Sequence, residues 1–125
     1  LEKLGGDQSA SLELRDLFAL KSESQFESIA FSEVLEHMEQ PREALQMIHN
    51  HLKRDGRLFL NVPLNSPAPD HIFLLRSSDE VHQILRDIGF GIESLHCIPA
   101  TNQSFANAIQ RKQTITCLAI ARRLT

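Results

Sequence analysis

The chain has 125 residues, with 42% hydrophobic side chains, 23% charged side chains and a formal net charge of −3. This length suits a single domain with a sizeable core, and the composition is that of an ordinary globular protein. A slightly acidic chain without an apolar run of about 20 residues is expected to bind neither nucleic acid nor a membrane, because those partners select basic faces and long apolar helices.

The first predicted elements are two short strands and a helix. Residues 11–15 alternate apolar and polar side chains, the period of a half-exposed strand, and residues 26–31 form a second strand. Pro41 suits the first turn of a helix, and Gly56 suits its end, just after two basic residues. The helix has one apolar stripe with spacings of three and four, formed by Ala44, Leu45, Ile48 and Leu52.

The next predicted elements are a third strand and a second helix. Residues 58–62 are apolar enough for a strand that is covered on both faces, and a polar loop follows over residues 63–71. Ser77 and Glu80 have the spacing of a capping box, which satisfies backbone N–H groups at the start of a helix. The amphipathic helix that they open is predicted to end at Gly89.

Two strands close the chain, over residues 92–98 and 114–121. The polar connection between them, residues 99–113, is longer than a tight hairpin and has room for a short helix. The order of elements predicts an α/β sheet that is mostly parallel, with an antiparallel C-terminal edge. Cys97 and Cys117 lie in these strands without the spacing of a zinc or redox motif, so we expect free thiols and a cytoplasmic location.

The segment "FESIAFSEVLEHMEQPREALQMIHNHLKRDGRLFLNVPLN", residues 26–65, resembles the second half of class I S-adenosylmethionine-dependent methyltransferases. In that family a strand runs into an "LEH" segment, a helix, a turn containing Lys and Gly, and the next strand. The segment "SSDEVHQILRDIGFGIESLHCIP" is similar to the family's next helix and sixth strand. The resemblance covers roughly residues 9–123 and implies a Rossmann-like methyltransferase sheet that uses S-adenosylmethionine.

The first two strands of that family have no counterpart in this sequence. They carry a Gly-rich cofactor loop and an acidic residue, whereas residues 11–15 already resemble the family's third strand. The resemblance therefore implies a partial class I methyltransferase domain over residues 1–125, with a gap in its sheet. The chain starts at Leu1 rather than Met, and open sheet edges invite association. We expect that the native protein is longer or that this piece pairs with another chain, for example as a homo-oligomer.

The resemblance assigns four residues to the cofactor. Asp16 matches the acidic position that hydrogen-bonds the adenine amino group, and Leu17 matches the next position along the base. Phe31 and Ser32, at the carboxyl end of the second predicted strand, match positions that line the methionine end of the cofactor. The alternative role of Asp16 is that of a solvated residue capping a turn.

The motif "SEVLEH" places Glu33, Glu36 and His37 on one face if a helix begins near Ser32. Two carboxylates this close repel each other and favour a cation between them. His71 follows the next strand, and both loops are expected at the same edge of the sheet. Carboxylate oxygens together with imidazole nitrogens would suit Mg²⁺, Mn²⁺, Fe²⁺ or Zn²⁺.

This set of residues resembles two metal-assisted branches of the family. The ubiquinone-biosynthesis O-methyltransferases share the E-x-x-E-H part, and the small-RNA 2′-O-methyltransferases share all four ligands. A second interpretation stays open, because "LEH" is also found in class I methyltransferases that use no metal. His37 and His71 are the candidate catalytic residues, and without a metal His71 would act alone as a general base or substrate ligand.

The predicted function is methyl transfer from S-adenosylmethionine to a small molecule, with a hydroxyl as the expected acceptor group. Asn65, Asp70 and His71 would lie on the acceptor side of the pocket. An RNA acceptor is not favoured, because no basic patch accompanies the site and both Trp and Tyr are absent from the sequence. The alternative is a non-catalytic methyltransferase-like module that acts as a binding or assembly partner.

Overall fold

A computed structural model describes residues 2–3, 10–21 and 23–125 of the chain, residues 2–3 by their backbone. Its strands are β1 (Glu2–Lys3), β2 (Ser11–Leu12), β3 (Phe26–Ser32), β4 (Leu52–Leu64), β5 (Phe90–Pro99) and β6 (Ile115–Arg123). Its helices are α1 (Pro41–His51), α2 (Ser78–Ile88) and α3 (Phe105–Gln110), with short 3-10 helices at Leu17–Ala19 and Leu35–His37. None of the helices in this part of the chain combines the length and apolar character that crossing a bilayer requires.

The main sheet has four strands in the order β3-β4-β6-β5. β3 and β4 are parallel, and β6 is antiparallel to both β4 and β5, so β3, β4 and β5 all run in one direction. The predicted α/β fold with an antiparallel C-terminal edge is thus confirmed. The carboxyl ends of these three strands, at Ser32, Leu64 and Pro99, lie along one side of the sheet, which we call the carboxyl edge.

The hydrophobic core lies between one face of the sheet and helices α1 and α2. Alternate side chains of β4 enter this core, namely Leu58, Leu60, Val62 and Leu64. On the other face of the sheet, Phe59 is 43% exposed and Leu118 is 41% exposed. The prediction that residues 58–62 are covered on both faces is therefore wrong for the described part of the chain, where helices cover one face.

The strand predicted over residues 11–15 is shorter than expected and lies outside the main sheet. Only Ser11–Leu12 is extended, and it pairs with β1 in a separate two-stranded sheet. Leu14 is fully exposed, so its apolar side chain is not packed on any described layer. Alternating polarity predicts a strand only where a neighbouring layer covers the apolar side, and that cover is missing here.

Helix α1 begins at Pro41 as predicted but ends at His51, five residues before Gly56. Its last carbonyls accept hydrogen bonds from the guanidinium of Arg123, which lies far along the chain. Gly56 has a different role, because a Cβ there would lie 3.0 Å from the carbonyl oxygen of Glu27 and 2.8 Å from that of Lys53. Its missing side chain allows β3 and β4 to approach each other closely.

Helix α2 has the predicted ends. The Ser77 hydroxyl accepts a hydrogen bond from the Glu80 backbone N–H at 3.2 Å, and Gly89 ends the helix in the left-handed region at φ 114°. Glu80 differs from the usual capping box, because its carboxylate accepts from the backbone N–H of Arg76 at 2.7 Å. The short helix predicted between the last two strands is also present, as α3.

Candidate functional site

The site begins where β3 ends at the carboxyl edge. Glu33 has φ 55°, in the left-handed region, and the chain then makes one 3-10 turn at Leu35–His37 before α1 starts at Pro41. The predicted helix from Ser32 is therefore wrong, because a left-handed residue interrupts any continuous helix at this point. Glu33, Glu36 and His37 do not share a helical face.

The loop after β4 is held directly against this 3-10 turn. The backbone carbonyl of Glu36 accepts hydrogen bonds from the N–H groups of Ile72 and Phe73, at 2.8 and 3.0 Å. A turn closed by the His71 N–H on the Ala68 carbonyl, at 2.9 Å, precedes this contact. These backbone bonds bring His71 beside Glu36 although the two residues are far apart in sequence.

Three of the predicted metal ligands lie close together at the carboxyl edge. Glu36, His37 and His71 each offer one ligand atom, and the three atoms lie within 4.8 Å of one another. The Nε2 atom of His37 is 3.6 Å from a carboxylate oxygen of Glu36, and the two imidazole rings meet edge to face with centroids 4.9 Å apart. We call these three residues the Glu-His-His cluster.

Hydrogen bonds to the backbone orient both imidazole rings of the cluster. The Nδ1 atom of His37 lies 2.9 Å from the Asp70 carbonyl oxygen, and Nδ1 of His71 lies 2.7 Å from the Ser66 carbonyl oxygen. A carbonyl only accepts, so in each ring Nδ1 carries the hydrogen and Nε2 of the neutral ring keeps its lone pair. Metal-binding histidines are commonly oriented by such backbone contacts.

The Glu36 carboxylate is buried without any hydrogen bond. Its side chain is 3% exposed, His37 Nε2 lies 3.6 Å away, and neither oxygen has a hydrogen bond in the described structure. Burying a carboxylate in this state costs free energy, and buried carboxylates in proteins are normally paired or coordinate a metal. The two oxygens of Glu36 are therefore the feature of this site that most needs a ligand.

Glu33 lies beside the cluster and within its electrostatic field. Partial burial raises the pKa of the Glu33 carboxyl, and the neighbouring Glu36 carboxylate raises it further, while His71 and His37 act in the opposite direction. Glu33 therefore interacts electrostatically with all three members of the cluster. A cation between the carboxylates would remove the repulsion that raises this pKa.

The four predicted cofactor residues do not line one common site: they lie at a turn cap and at two separate hollows. Asp16 caps the first 3-10 helix, where its carboxylate accepts from the Phe18 N–H at 2.9 Å, so it has the geometry of a turn cap. Leu17 and Phe31 line one apolar hollow of about 270 Å³. Ser32 lies at another hollow, of about 340 Å³. The role of these residues in cofactor binding stays a prediction.

A larger hollow at the carboxyl edge contains residues that the sequence did not single out. Its volume is about 600 Å³, and it is lined by Asn65, Pro67, Leu74, Arg76, Ile109 and Lys112. Asn65 was predicted on the acceptor side, but Arg76 and Lys112 were not. For Lys112 the available signal was charge, because no Asp or Glu follows Glu93 in the sequence, whereas Arg76 has acidic residues nearby in the sequence and carried no such signal.

Comparisons with known proteins give one family and many related folds. The sequence profile of a family described as "Methyltransferase domain" matches residues 7–111. Comparison with curated protein sequences gives no match. Among solved structures, the [4+2]-cyclase SpnF is similar at 15% identity and a TM-score of 0.71, over 90% of this chain and 55% of that one.

Two other solved structures have the same fold. A Bacillus halodurans C-125 protein, proposed to be a methyltransferase, is similar at 15% identity and a TM-score of 0.74, over 96% of this chain and 74% of that one. The Burkholderia thailandensis 1,6-didemethyltoxoflavin-N1-methyltransferase, with bound 1,6-didemethyltoxoflavin and S-adenosylhomocysteine, is similar at 18% identity and a TM-score of 0.66. The match covers 87% of this chain and 48% of that chain.

The chain spans about half the length of the cyclase and of the Burkholderia methyltransferase. At identities this low, the similarity to solved structures shows a shared Rossmann-like fold. The family profile covers most of the chain and adds the relationship in sequence. The chain therefore belongs to the methyltransferase-domain family and has the α/β sheet of the class I enzymes.

Proposed function

We propose that the chain is part of an S-adenosylmethionine-dependent methyltransferase that acts on a small-molecule hydroxyl with the help of a divalent cation. The observation that supports the cation is the buried Glu36 carboxylate, whose two oxygens have no hydrogen bond in the described structure while His37 and His71 each offer a ring nitrogen within 4.8 Å. S-adenosylmethionine follows from the family and from the S-adenosylhomocysteine bound to the Burkholderia relative. In the described part of the chain β3 is an edge strand of the main sheet, so it could pair with a further strand of the native polypeptide or of another chain.

The ligand set favours a cation that accepts both oxygen and nitrogen. Glu36 would supply carboxylate oxygen, while His37 and His71 would supply imidazole nitrogen. Glu33, whose carboxyl interacts with Glu36, would add a second carboxylate. Imidazole suits Fe²⁺ and Zn²⁺, carboxylate suits Mn²⁺, and Mg²⁺ prefers oxygen throughout. We therefore expect Mn²⁺, Fe²⁺ or Zn²⁺ in preference to Mg²⁺.

The chemistry is an in-line displacement at the donor methyl group. The bond from acceptor oxygen to methyl forms as the bond from methyl to sulfonium breaks, and the hydroxyl proton passes to solvent or to a base. A bound cation would lower the pKa of the acceptor hydroxyl. The residues of this chain would hold that cation and orient the acceptor, because the carbonyls of Asp70 and Ser66 orient the two imidazole rings.

Two alternatives differ in chemistry from this proposal. In a metal-free enzyme the Nε2 atom of His71 would accept the hydroxyl proton as a general base, and Glu36 would be structural. In a non-catalytic module the fold would serve binding or assembly, because a fold alone does not specify a reaction. We place the protein in the cytoplasm on the strength of its free thiols, Cys97 and Cys117.

Calorimetric titration with Mn²⁺ tests the metal site. Glu36→Ala or His71→Ala should weaken Mn²⁺ binding on the order of 100-fold, because outer-shell changes alone cost about 10–100-fold. Glu39→Ala and His82→Ala are matched controls, since these two side chains are exposed outside the cluster. Absent Mn²⁺ binding in the unaltered chain, or an equal loss in the controls, would exclude the site.

Methyl transfer is tested on the full native polypeptide with labelled S-adenosylmethionine. Calorimetry should show cofactor binding, and methylation of hydroxyl-bearing small molecules should stop when a strong chelator is added and resume with Mn²⁺. Activity that is indifferent to the chelator would support the metal-free mechanism. A native product without cofactor binding would support the non-catalytic module.

A further inference from the structure

The hollow of about 600 Å³ next to the Glu-His-His cluster has a distinct chemical character. It lies at the carboxyl edge between two connections, the loop after β4 and the segment that contains α3. Leu64 at the end of β4 pairs with Ile115 at the start of β6, which brings these connections together. The His71 imidazole of the cluster is hydrogen-bonded at 2.7 Å to the Ser66 carbonyl, and the two chain neighbours of Ser66, Asn65 and Pro67, line the hollow, so the hollow adjoins the cluster.

The hollow is positively charged. Arg76 and Lys112 line it, and its lining contains no Asp or Glu. Neither side chain has an ion-pair partner in the described part of the chain, whereas Arg42, Arg57 and Arg122 each have a carboxylate within 2.9–3.5 Å. The Glu80 carboxylate accepts a hydrogen bond from the Arg76 backbone N–H at 2.7 Å, and Glu80 lines a separate hollow on the α2 side.

The rest of the lining is apolar and faces solvent. Leu74 is 38% exposed and Ile109 is 51% exposed, and Pro67 adds a third apolar surface. Exposed apolar side chains beside two unpaired cations suit a ligand with an apolar body and an anionic group. The volume lies within the usual range of about 300–1,000 Å³ for small-molecule sites.

The backbone holds the polar lining residues in place. Asn65 and Lys112 both have left-handed backbones, with φ 53° and 51°. The Asn65 N–H donates to the Leu75 carbonyl at 3.0 Å, and the Lys112 N–H donates to the Ile109 carbonyl at 3.1 Å. Ordered positions reduce the entropy lost when a ligand binds.

We infer that this hollow binds an anionic group, carboxylate or phosphate, on a methyl acceptor that has an apolar body. That the ligand is a methyl acceptor rests on the proposed function, whereas the anion site itself rests on Arg76 and Lys112. Arg presents a fork of N–H donors that matches either oxyanion, while Lys adds a point charge. With its anionic group in the hollow, the ligand has its remaining polar groups on the side of the Glu-His-His cluster.

Titration of the ¹⁵N-labelled chain tests the anion site without cofactor or metal. The probes are phenyl phosphate and benzoate, with benzyl alcohol as the neutral probe of similar size. Phenyl phosphate or benzoate should shift the signals of Asn65, Arg76 and Lys112, and the tighter of the two identifies the preferred oxyanion. Benzyl alcohol should bind at least about tenfold more weakly, because it makes no charge-assisted hydrogen bond.

Charge-removing variants locate the effect. Arg76→Gln and Lys112→Gln should each weaken binding of the anionic probe roughly tenfold. Arg54→Gln is the matched control, since Arg54 is also exposed and lies in β4 far from the carboxyl edge. An equal loss in Arg54→Gln, signal shifts outside the hollow, or equal binding of benzyl alcohol would overturn the inference. Anion binding in a full native protein that fails to methylate would leave the site standing and reject the proposed function.

Discussion

Two polar side chains are buried on either side of helix α1, and they differ in what surrounds them. Glu36 precedes the helix, is 3% exposed, and has no hydrogen bond to either carboxylate oxygen. His51 ends the helix, is 2% exposed, and has a carbonyl oxygen within 2.9 Å of each ring nitrogen, from Met47 and Lys21, so the neutral ring donates to one of them and the imidazolium to both. The two side chains are buried to a similar extent, but only His51 has backbone carbonyls at hydrogen-bonding distance.

The difference separates a structural polar group from one that is available to a ligand. His51 joins the segment that contains Lys21 to helix α1, so its contacts stabilise the fold. Glu36 has no backbone hydrogen bond to offset its desolvation, and its polar neighbours are the side chains of the site itself, with His37 Nε2 at 3.6 Å. A fold tolerates such a group where another species supplies the missing interaction.

A third buried residue, His49, shows that lack of partners alone does not indicate a site. Its side chain is 6% exposed and both ring nitrogens lack hydrogen bonds, but its ring packs edge to face on Phe90 with centroids 5.1 Å apart. Burial lowers the pKa of His49, and the charge of Arg123 lowers it further, so the ring avoids the cost by staying neutral. It belongs to no group of potential ligands in the described residues.

The largest expected effect is on the free energy of unfolding when His51, the structural residue of the pair, is replaced. His51→Ala should lower the free energy of unfolding by about 3 kcal/mol, because it removes buried contacts with two carbonyls and leaves a cavity. Urea denaturation measures the change, and Mn²⁺ binding should be unaffected. The control His82→Ala, at an exposed position, should stay within about 0.5 kcal/mol of the unaltered chain. A loss of Mn²⁺ binding in folded His51→Ala would contradict the conclusion that His51 is structural and independent of the metal site.

Replacing Glu36, the residue available to a ligand, by an apolar residue should stabilise the protein. Glu36→Leu is expected to raise the free energy of unfolding of the metal-free chain by about 2 kcal/mol, because it replaces an unsatisfied buried carboxylate by an apolar side chain of similar size. The same variant should lose the stabilisation that Mn²⁺ provides. Thermal unfolding with and without Mn²⁺ measures both effects, and Glu39→Leu is the exposed control. Destabilisation by Glu36→Leu would show that Glu36 has a structural partner.

The same contrast explains which parts of the structure could be predicted from the sequence. Helix α2 was predicted with both its ends because its signals are local: Ser77 caps the first turn and Gly89 ends the last. The end of α1 was predicted wrongly because the residue that caps its carbonyls, Arg123, is far away in the sequence. Local motifs specify local geometry, and distant hydrogen bonds override them.

For the site, chemistry was easier to predict than shape. The sequence grouped Glu33, Glu36, His37 and His71, and the structure brings the ligand atoms of the last three within 4.8 Å of one another, without Glu33. Their role as metal ligands stays a prediction. The supporting helix was wrong, since Glu33 is left-handed and the cluster depends on backbone bonds from Ile72 and the next residue to the Glu36 carbonyl. No periodic pattern reports a single left-handed residue or a contact between two loops.

A smaller effect is expected from pH. Because the folded protein holds His49 at a lowered pKa, the unfolded chain binds more protons below its ordinary value of about 6.5, so stability falls as the pH drops through that value toward the folded pKa. Urea denaturation at pH 7.5 and pH 5 should show this loss in the unaltered chain. His49→Leu should reduce the loss, and His82→Leu should not. An identical pH dependence in His49→Leu would mean that another group titrates.

The smallest expected effect concerns the backbone of Glu33. Glu33→Gln and Glu33→Asn both remove the charge that faces Glu36, so each should stabilise the metal-free chain slightly. Asn also tolerates the left-handed backbone at φ 55°, and should therefore exceed Gln by about 0.5 kcal/mol in the free energy of unfolding. Urea denaturation of the pair isolates the backbone contribution, since their charges are equal. Equal stability would mean that the strain at Glu33 is negligible, and that charge repulsion alone distinguishes this edge of the sheet from the satisfied interior around His51.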